Sequence, residues 1–334
     1  YGCKFGNSTT GAYFGRFTPD HFKLSTVTSG TFNSACTGFS YSGQSFSYQE
    51  SPQLTVTAYN AATPATITQN YTGSFAKLAE NNPAPSVPYL ISPIIVDQNT
   101  VFDRFAITSP RHDIVQLGAD GIELVNLKWE PVAASLTDNK DGSLTFSFGD
   151  DDYTYIHEAN SKIGEFTNTI NLIFNTIVDS DSVAAVSLPH TLQPAGELIR
   201  YGRLVIPSGH GSELALLDIK DTWSVEYFNG TSWSLNSNDT CTIISPDTLT
   251  YDHHMAISTK DNPLGHSSNS LTFVNGLSTN SLIFDIAGEG NTGYIDIGTS
   301  DTLMPDWLHP GKQGRATFGI FTGSDNVIFK REVY

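Results

Sequence analysis

Five aspartates in two clusters give the strongest chemical signal in this sequence. Asp150, Asp151 and Asp152 are consecutive, and Asp179 and Asp181 stand two residues apart. Adjacent carboxylates repel one another, and a Ca²⁺ ion at about 2.3–2.6 Å from several oxygens would relieve that repulsion. The pattern therefore predicts a structural calcium site at these residues. The alternative is that both clusters are solvated turns of an acidic protein.

Two histidine-containing stretches invite comparison with enzyme active sites. His253 and His254 are adjacent, and neighbouring side chains on a strand point to opposite faces, so both cannot ligate one metal ion without a bend. Residues 209–213 read GHGSE, which is not the Gly-x-Ser-x-Gly pattern of a nucleophile elbow. We therefore expect that the chain is not an enzyme.

Aromatic residues could form a sugar-binding face. Trp223 and Trp233 flank the turn at Asn229 and Gly230 and are the candidates for contact with a carbohydrate. Cross-strand aromatic pairs also stabilise hairpins, so packing in a core is the other interpretation of the same residues.

The chain has three cysteines, Cys3, Cys36 and Cys241. Three is an odd number, so one thiol is left over if a disulfide forms. Cys3 and Cys36 both lie in the N-terminal region and would close a moderate loop, so this is the disulfide that we expect. Cys241 would then be a free buried thiol, or it would pair with a cysteine outside this segment.

Composition and charge narrow the possible settings of the protein. The 334 residues carry a net charge of −17, which opposes sequence-independent binding to nucleic acid because phosphates would be repelled. Only 15% of the residues are charged, a proportion typical of extracellular β proteins. No apolar run approaches the roughly 18 residues of a membrane span. Residue 1 is Tyr without a leader, so we expect a mature or excised segment whose export was directed from upstream.

Alternation of apolar and polar residues runs through the chain, and it predicts half-buried antiparallel strands. The clearest runs are residues 54–58, 144–148, 170–174, 271–273 and 282–286. Turn dipeptides separate such runs, among them Asn229-Gly230 and Asn275-Gly276. No window of a dozen residues has a helical stripe. The sequence thus predicts an all-β protein built of two tandem immunoglobulin-like β-sandwich domains.

We place the domain boundary near residue 185, where a strong strand ends in acidic and small residues. The predicted domains are residues 1–185 and 186–334. The proline-rich residues 83–88 would be a linker or would open a long insertion after residue 80 in the first domain. Residues 316–321 and 327–334, separated by a turn, predict a hairpin that closes the second domain.

Several stretches in a fixed order resemble one family. They are residues 15–22 (GRFTPDHF), 39–46 (FSYSGQSF), 70–77 (NYTGSFAK), 178–183 (VDSDSV), 200–204 (RYGRL), 211–214 (GSEL), 238–242 (NDTCT), 305–308 (PDWL), 316–319 (ATFG) and 331–334 (REVY). Together they resemble the C-terminal region of MshQ-like proteins, which are associated with the mannose-sensitive haemagglutinin type IV pilus of Gram-negative bacteria. Two positions depart from the family pattern. Ser182 stands where a turn glycine is usual, and His210 stands where an aromatic residue is usual.

The resemblance implies an exported protein of the cell envelope or pilus and assigns no catalytic residues. We therefore expect a non-enzymatic, extracellular structural or adhesive module of a pilus or surface filament. Its partners would be other filament proteins, copies of itself joined through an edge strand, or surface glycans. A carbohydrate-binding module and a self-polymerising filament subunit are the alternative functions. Calcium is the only cofactor that the sequence suggests.

Overall fold

The computed structural model describes two tandem β-sandwich domains and contains no α-helix among the residues it describes. The described residues are 18–78, 91–97, 100–103, 112–117, 123–130, 132, 134–155, 157, 162–168, 170–219, 222–299, 306–308 and 311–319. Within them, single 3₁₀ turns lie at Gly73–Phe75, Pro246–Thr248 and Asp306–Leu308. The all-β prediction is confirmed.

The strands of the first domain form four sheets. In chain order they are β1 (His21–Thr28), β2 (Thr31–Asn33), β3 (Ser40–Tyr41), β4 (Ser45–Glu50), β5 (Gln53–Tyr59), β6 (Ile91–Asp97), β7 (Thr100–Asp103), β8 (His112–Leu117), β9 (Glu123–Glu130), β10 (Ser135–Asp138), β11 (Ser143–Ser147), β12 (Asp152–Tyr155), β13 (Phe166–Thr167), β14 (Ile170–Ile177), β15 (His190–Leu192) and β16 (Leu198–Arg200). The sheet orders are β1-β5-β11-β10, β2-β4-β12-β9-β8, β15-β14-β6-β7 and β13-β16-β3.

The strands of the second domain form three sheets. They are β17 (Gly202–Val205), β18 (Gly209–Gly211), β19 (Leu217–Ile219), β20 (Ser224–Phe228), β21 (Trp233–Leu235), β22 (Ile243–Ile244), β23 (Leu249–Met255), β24 (Leu271–Val274), β25 (Leu277–Ser278), β26 (Leu282–Phe284), β27 (Gly293–Thr299) and β28 (Gly314–Phe318). One sheet has the order β17-β20-β25-β24-β22 with β21 paired to β20. The others are β18-β28-β27-β23 and β19-β26.

The alternating runs form strands whose apolar residues face the cores. On β5, Leu54 and Val56 are buried, while the threonines between and after them are half-buried. On β24, Leu271 and Phe273 are buried and Thr272 and Val274 are exposed. The period of two therefore predicted both the strand type and the buried face in these cases.

The turn predicted at Asn275 and Gly276 connects β24 to β25 as a two-residue loop, with Val274 opposite Leu277. Both loop residues have positive φ, 53° and 74°, as a type I′ turn requires. The turn at Asn229 and Gly230 likewise joins β20 to β21, with Phe228 opposite Trp233. Both hairpin predictions are confirmed.

The boundary between the cores lies later than the predicted residue 185. Strand β15 pairs with β14 of the first domain, and Leu192 and Ile199 pack in the first core. The second core takes over from Leu204 onward. The acidic turn at residues 179–182 is thus an internal turn of the first domain, because the chain after it returns along strands β1 and β14.

Two other predicted segments lie partly or wholly outside the described residues. The proline-rich residues 83–88 lie wholly outside them. The strands that follow them, β6 to β9, are built into two sheets, since β6 pairs with β14 and β9 with β12. Of the predicted C-terminal hairpin, residues 316–318 form the end of β28, and residues 320–321 and 327–334 lie outside the described part.

In the portion of the chain that the structure describes, no helix combines the length and the apolar character needed to cross a bilayer.

Candidate functional site

The most elaborate group of polar side chains lies at the junction of the two domains. The segment between β2 and β4 leaves the first domain and packs into the second. Its residues Cys36, Phe39 and Tyr41 are buried and belong to the core of the second domain. Gly202 lies against this segment, and a Cβ at that position would stand 2.7 Å from the Tyr41 ring. A larger residue there would therefore push the segment out of its groove.

The hydroxyl group of Tyr41 is the centre of a buried hydrogen-bond network. It donates to Asp239 Oδ2 at 2.6 Å and accepts a hydrogen bond from the Asn236 side-chain amide. Thr242 donates to the same Asp239 oxygen at 2.6 Å, and the backbone N–H groups of Cys241 and Thr242 donate to Oδ1. Burial and the neighbouring Asp239 carboxylate raise the pKa of Tyr41 well above its usual value. The hydroxyl therefore stays protonated and keeps its role as donor.

Arg200 connects the network to both domains. Its Nε donates to Glu165 Oε2 at 3.0 Å on the side of the first domain. Its Nη1 donates to Asn236 Oδ1 at 2.6 Å and to Asn238 Oδ1 at 3.1 Å in the second domain. The guanidinium also lies over the rings of Phe39 and Tyr227, with distances of 5.0 and 4.4 Å to their centroids. A planar cation with several donors suits this position, which a lysine could not fill in the same way.

A buried carboxylate holds the base of the inserted segment. Glu197 is 5% exposed and accepts hydrogen bonds from Ser34 at 2.8 Å and from Ser40 at 3.0 Å. Burial raises the pKa of Glu197, and the two serine donors only partly offset that effect. The ionised form is thus held in a site that disfavours its charge.

A disulfide between Cys36 and Cys241 closes the junction, with a Cα–Cα distance of 5.5 Å. The predicted Cys3–Cys36 disulfide is wrong, because Cys36 is bonded to a residue 205 positions away. The prediction favoured proximity in sequence, whereas the fold carries the inserted segment to the loop that precedes β22. Cys3 lies outside the described residues.

The predicted calcium ligands in the first cluster face different environments. Asp151 is fully buried and accepts the Val132 N–H at 2.8 Å. Asp150 and Asp152 are exposed, because β12 starts here and alternate side chains point to opposite faces. The three consecutive carboxylates therefore do not converge on one point.

The second predicted cluster is a turn built around one buried carboxylate. Asp179 accepts the backbone N–H groups of Asp181 and Val183 and the hydroxyl of Tyr71 at 2.9–3.0 Å. Asp181 is exposed. Ser182 has φ of 66°, so the turn keeps the left-handed geometry that the usual glycine would adopt. The left-handed turn is therefore present although Ser182 stands where a glycine is usual.

Among the described His, Cys, Asp and Glu side chains, one group brings three ligand atoms within 4.8 Å of one another: Cys36, Asp239 and Cys241. The two sulfur atoms of this group form the disulfide, so the group does not offer thiolate ligands to a metal ion. The five predicted carboxylates are not gathered into a site of this kind. Calcium binding at these aspartates stays a prediction.

The predicted sugar-binding pair of tryptophans is wrong. Trp223 is fully buried in the second core. Trp233 is partly exposed, but the Arg203 guanidinium lies 4.1 Å from its ring centroid. Trp233 pairs with Phe228 at the end of β20, whereas Trp223 precedes Ser224 at the start of that strand. They do not form a common face for a sugar ring.

The histidines form contacts that serve the fold. Ser42 and His157 come within 3.0 Å, but Ser42 is only 1% exposed and His157 stacks on Tyr201. His253 accepts the backbone N–H of Leu264 through Nε2 at 3.2 Å, and burial lowers its pKa. A serine that substrate cannot reach and an imidazole engaged by a backbone amide are poor candidates for nucleophile and base.

The fold and the junction together define a tandem β-sandwich protein. A segment of its first domain inserts into the second and is bonded to it by a disulfide. The chain belongs to the DUF6701 family. Residues 5–197 match the third domain of DUF6701, and residues 200–333 match its fourth domain. The two matches meet where the two cores meet. None of the curated proteins compared with the chain matches it.

Sequence reasoning selected the junction stretches without recognising that they meet. Residues 39–46, 200–204, 238–242 and 305–308 carried the family resemblance, and the structure brings all four together. Trp307 lies against the segment at Gly43, where a Cβ would stand 3.1 Å from the backbone nitrogen of Trp307. The signal that could have pointed to the junction was that several of these resemblance-carrying stretches occur in one chain. Their proximity in space was not encoded in any local pattern.

We expect Tyr41→Phe to lower the free energy of unfolding by about 1–3 kcal/mol, because Asp239 and Asn236 would each lose a buried partner. Urea unfolding of the oxidised protein measures this change. Tyr59→Phe is the matched control, since the Tyr59 hydroxyl has no hydrogen bond to the described residues. Equal stabilities of Tyr41→Phe and the parent protein would contradict the role of the network.

We expect a Cys3→Ser variant, denatured without reductant, to show no free thiol, because Cys36 and Cys241 are bonded to each other. Reduction should then lower the stability by about 5 kcal/mol in the chain-entropy description of a loop of this size. Thiol titration and urea unfolding measure the two effects. Two free thiols in the denatured oxidised variant would contradict the assignment.

We expect Glu197→Gln to raise the melting temperature at neutral pH, and the gain should shrink as the pH falls. The raised pKa means that folding favours the protonated carboxyl of Glu197. The contribution of this carboxyl to stability is therefore full below the unfolded pKa and declines as the pH rises through the folded pKa. Thermal melts between about pH 4 and pH 7 test this. Glu197→Ala, which leaves both serines without a partner, should be destabilised throughout. A gain that grows toward acid pH would refute the expected sign.

Proposed function

We propose that this chain is a non-enzymatic structural or adhesive module of a pilus or surface filament, exported from a Gram-negative bacterium. The observation that carries the proposal is the disulfide across the domain junction, together with the buried network beside it. The resemblance to MshQ-like proteins supports the pilus setting, and the two arguments are independent of each other.

The disulfide supports an extracellular location. Disulfides form and persist in oxidising compartments and are rare in the reducing cytosol. The bond between Cys36 and Cys241 joins parts of the chain that belong to different domains. In the cytosol, thiol-reducing systems would reduce this disulfide, and the covalent link between the domains would be lost.

The junction also supports a mechanical role. Pulling the domains apart would expose Tyr41, Asp239 and Asn236, each of which is fully buried and hydrogen-bonded across the interface. Breaking a buried hydrogen bond that involves a charged group is costly because the charge is left unpaired. Beyond that cost, the covalent bond limits how far the domains can move. Such a junction transmits force between domains instead of opening under it.

The positions of the residues considered as candidates for catalysis favour a binding role over an enzymatic one. Ser42, which lies 3.0 Å from His157, is buried, and Asp151 and Asp179 are buried carboxylates that accept backbone N–H groups. The carbohydrate-binding alternative has less support, because Trp223 is buried and Trp233 lies under Arg203. Other filament proteins, or copies of this chain, are therefore the partners that we propose.

Immunogold electron microscopy of the source cells tests the location, and retention under flow tests the mechanical role. We expect the label on surface filaments. A chromosomal Cys36→Ser/Cys241→Ser variant should attach normally at rest but detach at lower shear than the parent strain. Tyr59→Phe serves as the control strain. Label confined to the cytoplasm would overturn the proposal, as would equal shear resistance with the variant protein present on the surface.

A further inference from the structure

Strand β23 is a long, regular strand at the edge of its sheet. All seven of its residues pair with β27, from Leu249 opposite Thr299 to Met255 opposite Gly293, with no register shift. It ends the sheet order β18-β28-β27-β23. Within the part of the chain that the structure describes, no backbone hydrogen bond reaches its other edge.

The phase of the ladder shows which groups face outward. Ala256 N–H donates to Thr292, the residue opposite it, so the pairs that exchange hydrogen bonds fall on even-numbered residues of β23. The backbone N–H and C=O groups of Tyr251, His253 and Met255 therefore point away from β27. The Tyr251 carbonyl accepts a hydrogen bond from the His253 ring, and no backbone–backbone hydrogen bond within the described residues reaches the other outward groups, which form a row along the edge.

Natural edge strands usually carry features that block pairing, such as lysine, proline, bulges or a covering segment. Strand β23 has the sequence LTYDHHM, with none of these residues and no bulge. Strand β1, in contrast, has a bulge at Thr26/Thr28 and carries Lys23. Its outer side is partly occupied, because Phe22 pairs with the chain at Ala184 and Val186. The edge of β23 therefore lacks the bulge, the lysine and the backbone partners that β1 has.

We propose that β23 is an interface at which two copies of this chain join their sheets in an antiparallel pair, with the two-fold axis at His253. Each outward N–H and C=O then gains a partner. His253 pairs with His253 of the second copy, and Tyr251 pairs with Met255 of the second copy. The interface is isologous, so the same surface serves both chains and the assembly closes as a dimer.

The side chains favour this partner and this register. On the solvent face, His254 Nε2 lies 3.1 Å from Asp252 Oδ2 of its own strand, and the second copy brings a further Asp252 opposite it, twice because of the symmetry. On the other face, Tyr251 and Met255 are both half-buried and come opposite each other. Hydrogen-bonding pairs and apolar pairs across strands are stabilising. An axis at Asp252 would place the two aspartates opposite each other, and the groups of that residue point toward β27 instead of outward.

Long-range charge opposes the association and short-range pairing favours it. Each chain carries a net charge of −17, so two copies repel each other at low salt. At about 0.15 M salt, charges more than roughly 8 Å apart are largely screened. The dimer should therefore tighten as salt is raised from low values. The inference does not depend on the proposed filament function, since it rests on the edge of one sheet.

Sedimentation velocity of the whole chain over a concentration series, at about 0.15 M salt, tests the interface. We expect a monomer–dimer equilibrium. His254→Asp should weaken the dimer at least about tenfold, because like charges face each other across the strands. The double variant Asp252→His/His254→Asp should restore it, since an imidazole again faces a carboxylate, in exchanged positions. His210→Asp makes the same change on β18, at the opposite edge of the same sheet, and should have no effect.

Hydrogen exchange identifies the strand. The amides of Tyr251, His253 and Met255 should exchange more slowly at high protein concentration than at low concentration, and the amide of Ile243 on β22 should not change. A wild-type chain that stays monomeric up to about 1 mM would overturn the proposal. A dimer insensitive to His254→Asp, or one without protection at β23, would place the interface elsewhere and would overturn it equally. Circular dichroism of each variant confirms that it is folded.

Discussion

The burial of one carboxylate at the domain junction is the constraint on which the arrangement of the two domains depends. Asp239 is fully buried, and an ionised carboxylate without partners would be strongly disfavoured there. Its oxygens receive two backbone N–H groups and two hydroxyls, and one of these hydroxyls comes from Tyr41 of the inserted segment. The second domain is therefore complete only when the first domain supplies a side chain.

This dependence makes the two domains a single cooperative structure at their interface. Phe39 and Tyr41 supply apolar surface to the second core, while Glu197 of the first domain holds Ser34 and Ser40 at the base of the same segment. Arg200 lies between the two sides and binds both. The disulfide adds a covalent limit to a contact that is already specific. A displacement of the segment would disturb the polar network, the apolar packing and the covalent link together.

The elements that sequence reasoning predicted well are those governed by local rules. The buried faces of β5 and β24 follow from alternation, because successive side chains on a strand point to opposite sides. The turn at Asn275 and Gly276 follows from the need for positive φ at both positions. The errors concern pairs that are distant in sequence. Cys36 was assigned to a neighbour in the chain, and Trp223 was placed on a surface because its neighbours suggested a hairpin but could not show what covered it.

The amino-acid sequence alone determined that this protein consists of extended strands joined by tight turns, since those properties depend on a few adjacent residues. It also determined the acidic charge and the stretches on which the family resemblance rests. Only the tertiary structure decided that Tyr41 meets Asp239, that Cys36 meets Cys241 and that the edge of β23 stays open. These outcomes depend on how sheets pack and on which chain segment reaches which strand. Contacts of that kind join residues about 200 positions apart, and no local pattern of residue types encodes them.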